Sequence, residues 1–201
     1  LSSAGGAART SRARSRGLAV TAETCPHYLA FAAEEIPDGD TRYKCAPPIR
    51  ERENQERLWD ALRLGILDGI VSDHSPSPPA MKIRGDFRNS WGGISSLQFG
   101  LPIVWTEARR RGCTVGDIAR WMCSRPAEWA GLGERKGKIA PGYDADVVLW
   151  DPEAIFTVEE ANILHRHKQT PYEGRFLEGR VVRTILAGKT VFQGGAFPDG
   201  P

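Results

Sequence analysis

The sequence lacks both a charge excess and a long hydrophobic run. Its 27 lysine and arginine residues against 25 aspartate and glutamate residues leave a formal net charge of +2. Proteins that bind nucleic acids usually carry a clear basic excess, so this balance disfavours that class. No apolar run approaches the roughly 20 residues that a membrane-spanning helix needs. We therefore expect neither a nucleic-acid partner nor a membrane partner.

Cysteine is scarce, and its spacing disfavours the common thiol motifs. None of the four cysteines forms a C-x-x-C pair, so a zinc ribbon or a thioredoxin-type site is not indicated. The sequence also shows no secretory signal. We interpret the cysteines as reduced thiols of a cytoplasmic protein, with two disulfides as the alternative.

Acidic residues are missing at the start of the chain, where arginine is frequent. Residues 1–20 contain four arginines, several serines and no aspartate or glutamate. This composition suits either an organelle transit peptide or a solvated arginine-rich helix, and we favour the helix. Because the first residue is Leu1 rather than methionine, we expect the natural start to lie upstream.

Strand, loop and helix signals alternate through the first two thirds of the chain. The patterns predict a strand running into a loop at 18–28, a helix at 52–64, a buried strand at 68–73 and a helical stretch at 94–111. Thr114 and Asp117 resemble a capping box, and Pro126 can open another short helix. This order indicates parallel βα units.

The character of the sequence changes after Gly133. A strand is predicted at 146–150, and strands at 181–186 and 190–192 flank the turn residues Ala187 and Gly188 as in a hairpin. We therefore expect an α/β protein with one portion at 1–136 and a small antiparallel β domain at 137–201.

Two side chains stand where predicted strands end. His27 follows the first strand, and Asp73 lies at the end of the buried strand. At the carboxyl ends of parallel strands such residues can converge to bind a metal or to act as a base. The alternative from the residues alone is a hydrogen-bonded core histidine and a helix-capping aspartate.

Other chemistry-bearing residues are weaker candidates. His165 and His167 form an H-x-H pair, but their surroundings look helical or loop-like and carry positive charge, which favours a structural role over metal binding. Cys25 could serve as a thiol nucleophile with His27 as its base, although Pro26 between them disturbs the strand geometry. His74 is interpreted as structural, orienting its loop.

Several ordered motifs together resemble the dihydroorotase, hydantoinase and allantoinase group of cyclic-amide amidohydrolases. They are ETCPHYL at 23–29, KCAPPIR at 44–50, VSDHSP at 71–76 and GKIAPGYDAD at 137–146. The motifs WGGI at 91–94, HRHK at 165–168 and TPY at 170–172 are most similar to the allantoinase branch. The resemblance covers nearly the whole chain and is weakest at residues 1–17.

The resemblance implies the C-terminal part of a (β/α)8 barrel followed by a small β domain. It also implies a binuclear zinc centre with an H-x-H pair, a carboxylated lysine, two further histidines and an aspartate. By position His27 corresponds to the last histidine and Asp73 to the aspartate, which would also be the catalytic base and acid. The other ligands would lie upstream, one of them immediately before Leu1.

The substrate and partners are expectations from the same resemblance. Main-chain groups at Ala46, Trp91, Gly92 and Gly93 would hold the ring amide of a small-molecule substrate, most simply allantoin, which is opened to allantoate in purine catabolism. The resemblance also implies that the protein forms a homo-oligomer, specifically a tetramer. Because a complete barrel needs roughly 250 residues, we expect this chain alone to be an inactive fragment. The alternatives are a hydantoinase, dihydropyrimidinase or dihydroorotase activity, or a non-catalytic scaffold.

Overall fold

A computed structural model describes residues 1–198, and these residues form two compact units of a mixed α/β protein. Unit 1 contains residues 1–100 and 163–173. Unit 2 contains residues 101–162 and the chain from Gly174 onward. This division concerns packing within the chain, and the domain boundary between residues 136 and 137 stays a prediction.

Unit 1 is built from short strands and helices that alternate along the chain. Its elements are α1 (Ala4–Ser15), β1 (Glu23–Thr24), α2 (Pro26–Ala30), α3 (Arg52–Arg63) and β2 (Gly69–Ile70). β1 and β2 pair in parallel, as the predicted βα order requires. The predicted helix at 52–64 is confirmed, whereas both strands are shorter than predicted.

Helix α3 supplies the core of unit 1 because its apolar residues share one face. Leu58, Trp59 and Leu62 are fully buried, and α3 packs against both α1 and α2. The Trp59 indole N–H donates to the carbonyl oxygen of Leu29 at 3.1 Å, which satisfies the one polar atom of this large side chain.

The predicted arginine-rich helix is confirmed as α1. The guanidinium of Arg14 donates to the carboxylate of Asp68 and to the carbonyl oxygen of Ile66 at 3.1 Å. The same carboxylate accepts the N–H of Ala22 at 2.7 Å. Arg14 thus connects α1 to the approaches of both β1 and β2.

Unit 2 combines a short helical series with a three-stranded antiparallel sheet in the order β3-β4-β5. Its elements are α4 (Gly100–Arg110), α5 (Val115–Ala119), a π-helical turn (Arg120–Ser124), α6 (Arg125–Trp129), β3 (Val147–Thr157), β4 (Phe176–Leu186) and β5 (Lys189–Gln193). The predicted hairpin is confirmed by β4 and β5, and the capping box of Thr114 and Asp117 is present at α5.

Helix α4 packs on the sheet of unit 2 through Trp105. Its ring lies edge-on to Trp150 with centroids 5.3 Å apart, and its indole N–H donates to the carbonyl oxygen of Pro152 at 2.9 Å. Among residues 1–198, no helix has the length and apolar composition needed to cross a bilayer.

We expect the buried face of α3 to dominate the stability of unit 1. Leu58 is 0% exposed and Leu64, just after the helix, is 74% exposed. Leu58→Ala should lower the free energy of unfolding by about 2–5 kcal/mol because it leaves a cavity. Leu64→Ala is the matched control and should change it by less than about 0.5 kcal/mol in urea unfolding. Equal effects would contradict the packing described for α3.

Candidate active site

The parallel pairing of β1 and β2 brings two polar chain segments to the same end of the sheet. Glu23 pairs with Gly69 and Thr24 with Ile70. The pairing continues beyond the strands, since the N–H of Val71 donates to the carbonyl oxygen of Thr24 at 2.9 Å. In a parallel pair the residues that follow both strands emerge at one edge, so residues 25–27 and 72–74 become neighbours.

His27 lies in the first turn of α2, not in a loop after a longer strand as the sequence pattern predicted. Pro26 occupies the first helical position, where its missing N–H costs nothing, and this starts a helix directly after β1. The His27 ring is fully buried and lies edge-on to Tyr28 with centroids 4.1 Å apart. Neither ring nitrogen has a hydrogen-bond partner among residues 1–198.

Asp73 faces His27 across the end of the sheet. Its carboxylate oxygen Oδ2 lies 4.0 Å from Nε2 of His27. The Asp73 side chain is 53% exposed, whereas the histidine is closed off from solvent. Asp73 also has a positive φ of 44°, a left-handed conformation that is uncommon for a residue with a side chain. The structure therefore brings together the two residues that the sequence analysis selected.

Cys25 is a third potential donor that the sequence analysis considered only as a nucleophile. Ligand atoms of Cys25, His27 and Asp73 all lie within 4.8 Å of one another. Burial, with a smaller contribution from the charge of Asp73, raises the pKa of the Cys25 thiol to about 12. The free thiol is thus protonated at neutral pH, which disfavours a thiolate nucleophile here.

Burial also determines the charge of His27. Removal of the ring from water lowers its pKa from 6.5 to about 4, because the imidazolium form loses its solvation. His27 is therefore neutral at physiological pH. A neutral imidazole offers a lone pair, which is the form in which histidine binds a metal or accepts a proton.

The four predicted substrate-contact residues adjoin one another. A Cβ added at Gly92 would lie 3.8 Å from the Cβ of Ala46, and the N–H of Gly93 donates to the carbonyl oxygen of Lys44 at 3.0 Å. A Cβ at Gly93 would lie 2.6 Å from the Cβ of Ser75, so no side chain fits there. Trp91 is exposed. Their role in substrate binding stays a prediction.

A surface loop, the excursion at residues 76–91, connects Ser75 to Gly92. It leaves after Ser75 and returns at Gly92, and several hydrogen bonds tie it to the 39–44 region. The N–H of Gly85 donates to the carbonyl oxygen of Gly39 at 2.8 Å, and the Lys82 ammonium donates to the carbonyl oxygen of Lys44 at 2.9 Å.

The H-x-H pair at His165 and His167 lies in a loop of unit 1. The His165 ring packs edge-on to His74 with centroids 5.6 Å apart. Within residues 1–198, the metal-ligand geometry groups neither histidine with further donors. The nitrogen Nδ1 of His74 accepts the backbone N–H groups of Ser96 and Leu97. These bonds agree with the structural interpretation of His74. Both ring nitrogens of His165 are buried without a hydrogen-bond partner among residues 1–198, so the hydrogen-bonding role expected for this histidine is not found there.

Comparison with known proteins places this chain in a family. The pattern of the amidohydrolase family matches residues 13–191. The chain therefore belongs to the amidohydrolase family.

Two allantoinases are similar to this chain in sequence. The chain is 50% identical to an allantoinase of Arabidopsis thaliana over 187 residues, which are 91% of this chain and 37% of that protein. It is 47% identical to an allantoinase of Saccharomyces cerevisiae over 183 residues, 90% of this chain and 39% of that protein. The chain thus spans less than half the length of these relatives.

Two solved hydantoinase structures are similar to this chain in fold. An L-hydantoinase (dihydropyrimidinase) from Arthrobacter aurescens matches with a TM-score of 0.90 and 29% identity, over 98% of this chain and 44% of that protein. A D-hydantoinase matches with a TM-score of 0.86 and 32% identity, over 94% of this chain and 42% of that protein.

The low pKa of His27 predicts a loss of stability in acid. Between pH 6.5 and about 4 the unfolded histidine binds a proton and the folded one does not, so stability falls as the pH falls through this window. For the metal-free protein we expect His27 to account for about 2–3 kcal/mol of unfolding free energy lost between pH 7.5 and 4.5. The control variant His27→Gln should lose about 2–3 kcal/mol less unfolding free energy than the natural sequence between pH 7.5 and 4.5. Identical pH dependences would contradict the buried neutral ring.

Proposed function

We propose that the natural protein hydrolyses a C–N bond of a cyclic amide, with allantoin as the substrate and allantoate as the product. The proposal rests on the 4.0 Å approach of His27 to Asp73 in a chain that is 47–50% identical to allantoinases from a plant and a yeast. Such an enzyme would act in purine catabolism. By resemblance it would be a cytoplasmic homo-oligomer.

A hydantoinase-type activity is the second candidate. It is favoured by the solved structures, which are hydantoinases with TM-scores of 0.86 and 0.90. Those proteins are 32% and 29% identical to this chain, against 47% for the yeast allantoinase. The higher identity makes allantoin the better-supported substrate. Retention of His27 and Asp73 side by side also supports an enzyme over a scaffold that has lost its chemistry.

The fold that we propose for unit 1 is the C-terminal portion of a (β/α)8 barrel. Barrel enzymes place catalytic residues at the carboxyl ends of parallel strands, and His27 and Asp73 follow β1 and β2 in this manner. The remaining strands would come from the part of the relatives that this chain does not span. We propose that this chain is inactive without them.

The residues at the site fit a zinc ion. His27 carries two buried nitrogens that lack partners within residues 1–198, and a buried polar atom without a partner is costly unless a ligand satisfies it. The 4.0 Å between Nε2 of His27 and Oδ2 of Asp73 is too long for a hydrogen bond. It does not exceed the roughly 4.0–4.4 Å that two zinc–ligand bonds of roughly 2.0–2.2 Å each can span. We propose that both side chains bind zinc and that the other ligands of a binuclear centre lie outside this chain.

Asp73 is the proposed base and acid of the reaction. When bound, zinc supplies a Lewis acid and lowers the pKa of water. The Asp73 carboxylate accepts a proton from the attacking water and then delivers it to the leaving ring nitrogen. Its partial exposure leaves it open to a substrate, while the buried His27 ring closes the inner side of the site.

The ring of the substrate would be held by backbone groups. Ala46 and Gly92 approach each other closely, and Gly93 leaves no room for a side chain beside Ser75. Small residues of this kind allow the main chain to approach a flat amide ring, which supports Ala46, Gly92 and Gly93 as the substrate contacts that we propose. Trp91, which directly precedes Gly92, is proposed with them through its main chain.

Metal analysis of the full-length protein tests the proposed ligands. His27→Ala and Asp73→Asn should each lower the zinc content and reduce kcat by at least about 100-fold, because each removes a ligand and Asp73→Asn also removes the base. Cys25→Ser should retain zinc, since the resemblance assigns no ligand role to this position. The exposed Asp38→Asn and the loop variant His167→Ala serve as controls. Full zinc content in His27→Ala would remove this histidine from the ligand set.

Substrate comparison separates the two candidate activities. We expect the full-length protein to prefer allantoin over hydantoin by more than about tenfold in kcat/KM, because a site suited to the larger polar substrate loses contacts with the smaller one. Steady-state rates with allantoin, hydantoin and dihydroorotate give the comparison. A preference for hydantoin would establish the second candidate, and no turnover of any cyclic amide would refute both.

A further inference from the structure

Among residues 1–198, no hydrogen bond fixes the direction of the Asp73 carboxylate. Nε2 of His27 lies 4.0 Å from its Oδ2, beyond hydrogen-bond distance, and the ligand atom of Cys25 lies within 4.8 Å. Its backbone has a φ of 44°, a conformation that costs about 1–3 kcal/mol and persists only when surrounding contacts enforce it. The position of this carboxylate must therefore be set by the residues on either side.

Those flanking residues are bonded to one neighbouring segment, 94–97. The hydroxyl of Ser96 donates to the carbonyl oxygen of Ser72 at 3.0 Å, before Asp73. The N–H of Ser75 donates to the carbonyl oxygen of Ile94 at 3.0 Å, after it. His74 and Ile94 also form a parallel bridge. The backbone of Asp73 is thus held on both sides by the same short stretch of chain.

The His74 side chain also hydrogen-bonds to segment 94–97. Its Nδ1 accepts the N–H of Ser96 at 3.0 Å and the N–H of Leu97 at 3.1 Å. Two donors at Nδ1 require a lone pair there, so the neutral ring carries its proton on Nε2. Ser96 and Ile94 are buried, so their N–H and C=O groups depend on protein partners.

We propose that His74 is a positioning residue: by accepting two backbone N–H groups at Nδ1, it holds the strained turn that aims the Asp73 carboxylate at the reacting centre. This inference rests on the proposed function only for its catalytic consequence. The His165 ring packs edge-on to the His74 ring, with centroids 5.6 Å apart.

The two amide isosteres of histidine test this role atom by atom. The side-chain oxygen of asparagine can take the place of Nδ1, whereas that of glutamine extends toward the place of Nε2. His74→Asn should therefore keep the two backbone bonds, and His74→Gln and His74→Ala should break them. His167→Asn is the matched control, because this histidine lies in a loop and makes no contact with His74 in the described residues.

Hydrogen exchange of the full-length protein measures the bonds without any assay of activity. In His74→Gln and His74→Ala the amides of Ser96 and Leu97 should exchange at least about tenfold faster, and in His74→Asn they should stay protected. Exchange in the core helix α3 is the reference for global stability. Unchanged protection in His74→Ala would overturn the proposal.

Kinetics and zinc affinity measure the consequence for Asp73. Loss of an outer residue that orients a ligand costs about 10–100-fold in metal affinity or activity, so His74→Gln and His74→Ala should fall by that factor in kcat and in zinc affinity, with KM within about threefold. His74→Asn should stay within about threefold of the natural protein in both. Equal losses in His74→Asn and His74→Ala, or equal retention, would overturn the positioning role. If the natural protein hydrolyses no cyclic amide, the proposed function fails, and exchange with zinc affinity still decides the role of His74.

Discussion

The parallel pairing of β1 with β2 is the constraint on which the candidate site depends. Only two residue pairs define the ladder, yet their register determines that the chain segments after both strands emerge together. A shift of β1 by one residue would exchange the faces of Glu23, which is exposed, and Thr24, which is buried. Burial therefore protects the register, and the register brings an imidazole and a carboxylate 4.0 Å apart.

His27 and Asp73 differ in solvent exposure, and this difference suits them to different chemical roles. His27 is enclosed by α2 and its neighbours and is held neutral by burial. Asp73 stands at the surface of the same site, where water and a small molecule can reach it. One side of the site therefore supplies a fixed, uncharged donor, and the other supplies an accessible charge. The proposed hydrolytic centre would use both, because its metal ligand must stay in place while its base meets the substrate.

Local signals were the ones that the sequence predicted best. The capping box of Thr114 and Asp117 and the hairpin around Gly188 involve residues a few positions apart, and both are confirmed. The selection of His27 and Asp73 as neighbours also agrees with the structure. The short helix that Pro26 starts was missed although its signal is local. The proximity of Cys25 to Asp73 was missed because it depends on how β1 meets a strand more than forty residues away. Periodicity cannot report such a long-range contact.

The excursion at residues 76–91 departs and returns at anchored points. Ser75 is bonded to Ile94, and Gly93 to Lys44, so the stem is closed before the excursion begins. The entropy of closing a loop grows slowly, by about 0.6 kcal/mol for each doubling of its length. Insertions or deletions at its tip should therefore be cheap in evolution. Changes of length there can leave the backbone around Asp73 in place, because the bonds that hold it lie outside the excursion.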